Sequence, residues 1–337
     1  MLSLEQIESA CADGPIPAPH PIMKSPELSF SRTYYPLGFP MEVRSNSAEV
    51  FEHFAEIWGK FDKHYDTEKL LTEVLFVEDD CGECPPEPSY RIVSSWLTSV
   101  ANRDNYCVLD MESGRTSITV SRAALQHPLY VQYFLFGLAV SAISTCHATP
   151  IHAACVEFEG RGVLLCGDSG AGKSTLSYAC ARSGWNYISD DASYMLSRGH
   201  ARRVTGNCHQ VRFRPTAGKL FPELQGLAVT PRAAGKPSIE LATANLPGIR
   251  GASGTDVDFV VFLNRRGAGP AEVKPYGKDA ARMFMRQVLF GPDSTLSVQH
   301  AAIERMLDAR LVSLHYSDLD SAIARLEMLC REHPLKG

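Results

Sequence analysis

The residues with the clearest chemical meaning form one run near the middle of this 337-residue chain. Glycines alternate with a lysine and hydroxyl side chains in the spacing G-x-x-x-x-G-K-[ST], which is typical of a phosphate-binding loop. Small residues let such a loop curl so that its backbone N–H groups point at phosphate oxygens, and the following helix adds the positive end of its dipole. The run is Gly167, Asp168, Ser169, Gly170, Ala171, Gly172, Lys173 and Ser174, followed directly by Thr175.

Two side chains in this run have separate expected tasks. Lys173 should reach the β- and γ-phosphates of a nucleotide, and the Ser174 hydroxyl should bind Mg²⁺. The alternative is a glycine-rich turn that matches the pattern by chance. The surrounding sequence favours nucleotide binding, because the apolar run 163–166 predicts a strand leading into the loop and an apolar helix follows, which Gly184 ends.

A pair of carboxylates follows the next predicted strand, residues 185–188. Asp190 and Asp191 would lie at the carboxyl end of that strand, where open α/β sheets bind their ligands. One carboxylate, for which Asp190 is the candidate, can hold a metal ion through water, while the other faces an acceptor group. The alternative is a turn or a helix cap, for which paired aspartates are also common.

A histidine precedes the loop by one hairpin. His152 begins a strand that turns at residues 159–162 and leads into the strand before the loop. We therefore expect it to lie near Asp191, where it could orient the carboxylate or raise its proton affinity. A purely structural histidine is the alternative.

Together these residues resemble the catalytic domain of HPr kinase/phosphorylase. The resemblance is carried by His152, the loop with Lys173 and Ser174, and the Asp190-Asp191 pair; it covers roughly residues 150–192 and extends loosely to the end of the chain. It implies a serine kinase of the P-loop type that is related in fold to phosphoenolpyruvate carboxykinase. By position it implies Lys173 as the phosphate lysine, Ser174 as the metal ligand, Asp191 as the base and His152 as an assisting residue.

The chain departs from the bifunctional members of that family at one signature. An E-I-R-G-type motif is expected after the aspartate pair, yet the nearest run, Gly248-Ile249-Arg250-Gly251, lies too late and lacks the acid. This departure puts the phosphorylase reaction, and HPr itself as substrate, in doubt. The chain is more similar to HPr-kinase-like serine kinases, some of which modify a precursor peptide in natural-product pathways.

Further cations are candidate contacts for phosphate or substrate. Alternation along residues 211–215 puts Arg212 and Arg214 on one face of a predicted strand, where they could bind a nucleotide phosphate or an acidic acceptor. The alternative is two solvated cations. Lys236, in a glycine- and proline-containing loop, is another candidate phosphate contact.

Length and composition limit the class of protein. With 45% hydrophobic residues, 337 residues can bury a large core and favour two domains. A net charge of −5 argues against a nucleic-acid-binding surface.

The ten cysteines are scattered, and the first residues show no secretory pattern, so we expect reduced thiols and a cytoplasmic protein. Cys81 and Cys84 form a single C-x-x-C, interpreted as a loop with incidental thiols rather than a zinc or redox site.

The predicted organisation is α/β, with a P-loop kinase-like domain preceded by a smaller α+β domain. Residues 1–32 are proline-rich and predicted as an extended arm, 33–125 as the α+β domain with a role in substrate recognition, and 126–337 as the kinase domain. The apolar stretch 129–146 is predicted as a buried helix rather than a membrane span. Predicted strands are 41–43, 71–77, 90–96, 106–111, 117–120, 211–215, 257–263 and 311–315; predicted helices start near residue 46 and cover 280–289, 295–307 and 318–330.

The leading hypothesis is an ATP-dependent, Mg²⁺-requiring kinase that phosphorylates a serine of a peptide or protein. Residues 264–267 lack the aspartate of N-K-x-D, so guanine selection is unsupported, and the L-S-G-G-Q of ABC-type motors is absent. A small-molecule alcohol kinase and a non-catalytic ATP-binding regulatory module remain open, as does a homo-oligomer. We expect no nucleic-acid or membrane partner.

Overall fold

The computed structural model describes residues 3, 5, 7, 27–78, 82–199, 201–230, 237–265 and 268–332. Contacts between Cα atoms divide the chain into two compact units, the first ending at Ala148 and also including Phe290–Ser297, and the second comprising the remainder. The division therefore falls after the boundary expected near residue 125. Most of the expected N-terminal arm, Cys81 and Lys236 lie outside the described residues, while residues 30–32, assigned to the arm, belong to a strand.

The first unit is built on a seven-stranded mixed sheet in the order β1-β2-β3-β7-β6-β5-β4. Residues of β3 alternate between buried and partly exposed, as expected for a sheet with one covered face. The strands are β1 (Phe30–Tyr34), β2 (Met41–Ser45), β3 (Leu70–Val77), β4 (Ser89–Val93), β5 (Trp96–Asn102), β6 (Asn105–Asp110) and β7 (Arg115–Ser121).

Helices supply the other side of this core. The aromatic rings of Phe54 and Phe136, from two different helices, stack with their centroids 4.0 Å apart. The helices are α1 (Val50–Trp58), α2 (Arg122–Leu125), α3 (Pro128–Tyr130) and α4 (Phe136–Cys146), with a π-helical turn at Val131–Leu135. By length and composition alone Pro128–Cys146 could cross a membrane, but 59% of it is buried and α4 contacts β3, β6 and β7, as a core helix does.

Two predictions for this unit were wrong in detail. Residues 90–96 form no single strand, because the chain turns at Ser94, where φ is +53°, and β4 and β5 pair as a hairpin. Helix α1 begins at Val50 rather than after residue 46. The Asn46 side chain instead bonds the backbone of Phe76 in both directions, at 2.9 and 2.8 Å, and so fastens the ends of β2 and β3.

The second unit is built on a ten-stranded mixed sheet and a separate two-stranded ribbon. In the large sheet the order is β16-β11-β9-β10-β17-β13-β12-β8, and β19 lies between β17 and β18. The strands are β8 (Ala148–Ile151), β9 (Ala153–Phe158), β10 (Arg161–Cys166), β11 (Asn186–Ser189), β12 (Ser193–Leu196), β13 (Arg203–Gly206), β14 (Gln210–Phe213), β15 (Ile239–Ala242), β16 (Arg250–Gly251), β17 (Gly254–Arg265), β18 (Glu272–Pro275) and β19 (Arg310–Tyr316).

Three parallel neighbours, β10, β17 and β19, form the centre of this sheet. Strand β10 is buried at every position, which explains the apolar run at residues 163–166, and the buried Arg161 at its start pairs with Asp258 at 3.2 Å. The helices are α5 (Lys173–Arg182), α6 (Lys278–Arg286), α7 (Asp293–Met306, of which residues 293–297 belong to the first unit) and α8 (Leu319–Glu332), and α5 packs against α8 over one core. The predicted inward residues of the last helix, Ile323, Leu326 and Leu329, are buried. The mixed α/β class is confirmed.

Candidate active site

Sheet pairing brings three distant segments to one edge. Strand β9 lies between β10 and β11 and is antiparallel to both, with Ala153 opposite Cys166 and Cys155 opposite Ser189. The start of β9 is therefore flanked by the carboxyl ends of its two neighbours. His152, which precedes β9, consequently lies between the glycine-rich loop after β10 and the aspartate pair after β11.

The loop has the backbone conformation that its glycines suggest. Gly170 and Gly172 have φ angles of +92° and +100°, in the left-handed region where other residues are strained. At Gly172 a Cβ atom would also lie 3.0 Å from the Tyr316 hydroxyl. Helix α5 begins at the next residue, so its unpaired N–H groups face the loop and could bind an anion.

Lys173 is buried beneath this loop. Its Nζ atom donates to the carbonyl oxygens of Gly167 and Asp168 at 2.7 and 3.3 Å, and it lies 2.9 Å from Nε2 of His152. Burial lowers the pKa of the Lys173 ammonium from its ordinary value, although several carboxylates, chiefly Asp191, oppose this effect. The ammonium is thus held beside the loop by two carbonyl oxygens and an imidazole nitrogen, and phosphate oxygens could replace these acceptors.

His152 connects the lysine to Asp191 through its two ring nitrogens. An ammonium can only donate, so Nε2 of His152 accepts from Lys173, and the neutral ring then carries its proton on Nδ1. That nitrogen lies 3.6 Å from Oδ1 of Asp191. Burial and the neighbouring Lys173 charge lower the pKa of His152, which keeps the imidazole neutral at pH 7.

The two aspartates have different environments. The Asp191 side chain is 55% exposed and can be reached by a second molecule. Asp190 instead accepts a hydrogen bond from the backbone N–H of Arg212 at 2.8 Å, and burial raises the pKa of its carboxyl to about 6, an effect that the Arg212 charge opposes. The Ser174 hydroxyl donates to the Asp190 carbonyl at 3.4 Å, which leaves its oxygen lone pairs available.

Ser174 and Asp190 fit a magnesium site. A partly buried carboxylate with a raised pKa is stabilised by a nearby cation, and Mg²⁺ commonly takes one or two protein oxygens and completes its shell with water and nucleotide phosphates. Within the described ranges no group of three or more His, Cys, Asp or Glu could hold a metal by itself. The donor set therefore suits an ion that arrives together with a nucleotide.

A pair of buried serines fastens the aspartate turn to His152. Ser189 and Ser193, on either side of the pair, lie 2.7 Å apart through their Oγ atoms, and Ser193 donates to the carbonyl of Ala153 at 2.9 Å. Ala153 is the residue after His152. We name Ser189 and Ser193 the serine clasp; the sequence gives no periodic or motif signal for it, because it depends on how β9 and β11 pair.

Under the kinase hypothesis drawn from the sequence, replacement of Ser193 with alanine should reduce phosphoryl transfer more than it reduces stability. Without the clasp the Asp191 turn can move relative to His152, and a displacement of about 1 Å at a reacting group can cost roughly a hundredfold in rate. We expect kcat to fall by about one to two orders of magnitude, with little change in the KM for ATP.

Ser197→Ala is the matched control for this variant. The Ser197 hydroxyl lies 3.0 Å from the buried hydroxyl of Thr149, and neither residue belongs to the aspartate turn. Thermal unfolding and steady-state kinetics would be measured for both proteins. Equal kcat losses in the two variants would show that Ser193 acts only through stability.

Replacement of His152 with alanine should change the pH profile. In the wild type the activity should fall in acid, below pH 6.5, where the imidazole with its lowered pKa becomes protonated beside the Lys173 ammonium. The variant should lose roughly tenfold in kcat and lack this acidic fall. The kcat–pH curves of His152→Ala and of the control His300→Ala, in α7, would be compared. An unchanged acidic limb in His152→Ala would exclude the imidazole as its source.

The predicted cationic contacts have mixed positions. Arg212 lies on β14 beside Asp190, but its guanidinium is 3.8 Å from a Glu240 carboxylate oxygen and 3.5 Å from Gln210 Oε1, so its charge is already partly balanced. Arg214 follows β14 and is exposed. Arg212 occupies the partly exposed side of β14, between the buried Val211 and Phe213, whereas Arg214 lies just past the end of the strand. Their role, like that of Lys236 outside the described residues, stays a prediction.

Comparison with known proteins gives one distant likeness. No family model matches the chain, and no curated protein matches it. Among solved structures, 59 chains match; one is the HPr(Ser) kinase/phosphatase from Coxiella burnetii, at 13% sequence identity and a TM-score of 0.32, covering 55% of this chain and 99% of that one. A likeness this distant does not establish a shared activity or substrate.

Proposed function

We propose that this chain is an ATP-dependent, Mg²⁺-requiring kinase that transfers the γ-phosphoryl group to a serine hydroxyl of a peptide or protein. The observation that carries the proposal is that Lys173 and Asp191 approach opposite nitrogens of one imidazole, His152, at 2.9 and 3.6 Å. A phosphate seat and an exposed carboxylate thus flank the same small site.

Each residue then has a definite task. The acceptor oxygen forms a bond to the γ-phosphorus as the bond from that phosphorus to the β–γ bridging oxygen breaks, and ADP leaves. The proton of the acceptor hydroxyl passes to Asp191, the only member of the pair whose carboxylate is largely exposed. The neutral His152 ring orients that carboxylate, and Lys173 with the loop N–H groups covers the developing phosphate charge.

Mg²⁺, when bound, would neutralise charge on the β- and γ-phosphate oxygens, with Ser174 and Asp190 as the residues that hold it. Serine as the acceptor class, and a natural-product precursor peptide as one candidate, are supported by the resemblance of the loop, His152 and the aspartate pair to HPr-kinase-like serine kinases. The first unit, with its exposed strands, is proposed to recognise the acceptor.

Transfer to the acceptor can be tested directly. The full chain would be incubated with γ-labelled ATP, Mg²⁺ and peptides encoded beside its gene, and the label located by mass spectrometry, with Asp191→Asn as the inactive control. Label on a peptide serine would support the proposal. Label only on a free metabolite would favour a small-molecule kinase, binding without transfer would favour a regulatory module, and absence of nucleotide binding would overturn the site itself.

A further inference from the structure

A small concavity lies next to the glycine-rich loop. It has a volume of about 150 Å³ and is found where the chain leaves β17 and β19. Both strands run parallel to β10, so their carboxyl ends lie at the same edge of the sheet as the loop. Its lining residues are Ala268, Gly269, Pro270, Glu272, His315 and Tyr316.

Tyr316 connects this cavity to the phosphate loop. It lines the cavity, and its hydroxyl donates to the carbonyl oxygen of Ala171 at 3.5 Å. The same hydroxyl lies so near Gly172 that a Cβ atom there would be only 3.0 Å away. One side chain therefore separates the cavity from the loop, and a ligand on the loop could extend into the cavity past this residue.

The rim of the cavity is held in place by the sheet. Ser317 donates to the carbonyl oxygen of Gly269 at 2.9 Å, which fastens the turn at residues 268–270 to the end of β19. Glu272 is the antiparallel partner of His315, whose Nε2 atom lies 2.9 Å from the Ser313 hydroxyl. Such a rim is present before any ligand arrives, as is usual for small-molecule sites.

The lining suits a flat ring system with polar edges. Tyr316 and His315, both largely buried, line it with aromatic side chains; the Glu272 carboxylate, which pairs with Lys274 at 3.0 Å, can accept a further hydrogen bond from an amino group; and the turn supplies backbone groups. Sites for whole ligands usually measure roughly 300–1,000 Å³, so about 150 Å³ fits one ring system of a larger ligand.

From this placement we propose that the cavity bounded by Ala268–Pro270, Glu272, His315 and Tyr316 binds the purine base of the nucleotide whose phosphates occupy the glycine-rich loop. The inference rests on the proposed nucleotide-binding function and adds to it the place where the base is held. In this arrangement the contacts to the base come from the turn after β17 and from the end of β19, so selection of the base does not require an N-K-x-D sequence.

The test separates binding of the base from binding of the phosphates. Calorimetry would measure the affinity of the full chain for MgATP and for magnesium tripolyphosphate, which has no base. In Ala268→Trp, whose larger side chain competes for the cavity, we expect the MgATP affinity to fall about tenfold or more, since stacking of one base commonly contributes that much. Affinity for tripolyphosphate should stay within about twofold. Ala324→Trp, an exposed position on α8, is the matched control.

A second measurement does not depend on any substitution. Photolabelling of the wild type with 8-azido-ATP, followed by peptide mapping, should mark residues 268–272 or 315–316, and unlabelled ATP should suppress the label. An ATP-suppressible label elsewhere in the chain, or unchanged MgATP affinity in Ala268→Trp, would overturn the base site while leaving the loop assignment intact. Failure of the wild type to bind either MgATP or tripolyphosphate would instead overturn the proposed function on which this site depends.

Discussion

Asp191→Asn is expected to bind MgATP as the wild type does and to transfer phosphate about 10²–10⁴-fold more slowly. Asparagine has nearly the same shape, so the turn between Ser189 and Ser193 should keep its hydrogen bonds, none of which involves the Asp191 side chain. What is lost is the ability to take a proton from the acceptor hydroxyl. The effect should therefore appear in kcat, because proton acceptance matters only as the transition state is reached.

Single-turnover kinetics with saturating nucleotide would measure this effect, since they separate the chemical step from binding and product release. Asp320→Asn, at an exposed position at the start of α8, is the matched control and should retain full activity. Full transfer by Asp191→Asn would remove this carboxylate from the mechanism. Loss of MgATP binding in the variant would show instead that Asp191 belongs to the metal or phosphate site.

The local parts of the site could be predicted from sequence because their chemistry is written in neighbouring residues. The loop conformation follows from glycines at Gly170 and Gly172, whose φ angles of +92° and +100° other residues adopt only with strain. The hairpin at Glu159 and Gly160 places His152 one strand away from the loop, as its spacing suggests. The core strand β17 and the last helix were likewise predicted from their apolar patterns.

The parts that depend on strand order could not be predicted in the same way. The approach of His152 to Asp191 was expected from the hairpin, but nothing in the spacing shows that β9 is inserted between β10 and β11, the order that sets His152 between Lys173 and Asp191. The clasp of Ser189 and Ser193 is a consequence of that pairing. Tyr316 lies far along the chain from Ala171, and only the parallel register of β17 and β19 brings them together.

The difference between Asp190 and Asp191 also required the structure. From the residue types alone either aspartate could bind the metal or accept the proton; only the family resemblance implied Asp191 as the base, which left Asp190 for the metal. Strand β14, which lies in a separate ribbon, directs the Arg212 N–H at Asp190 and leaves Asp191 exposed. Burial then raises the pKa of Asp190 to about 6, so this residue gains from a bound cation, and the neighbouring carboxylate is the one that an acceptor can reach.

Lys173→Met should remove most of the nucleotide affinity and nearly all of the activity. Methionine retains much of the apolar stem, so packing beneath the loop is largely preserved. The ammonium group that makes the contacts described for this site is lost. A charge-assisted hydrogen bond to a phosphate typically contributes about 1.5–3 kcal/mol, which corresponds to a loss of roughly 10- to 100-fold in MgATP affinity. Because negative charge spreads over the γ-phosphoryl oxygens in the transition state, the loss in kcat/KM should be larger than the loss in affinity.

Calorimetry with MgATP and single-turnover transfer would be measured on the same preparation, with thermal unfolding to show that the loop remains folded. Lys278→Met, an exposed lysine that pairs with Asp308 at 3.3 Å, removes the same charge from the second unit away from the loop and is the matched control. Burial lowers the pKa of the Lys173 ammonium, so the fold does not favour its charge and its removal should not destabilise the protein greatly, although the carbonyls of Gly167 and Asp168 and Nε2 of His152 each lose a donor. Unchanged affinity and rate in Lys173→Met would contradict the assignment of the glycine-rich loop as a phosphate site, because the lysine of such a loop binds the β- and γ-phosphates of the nucleotide.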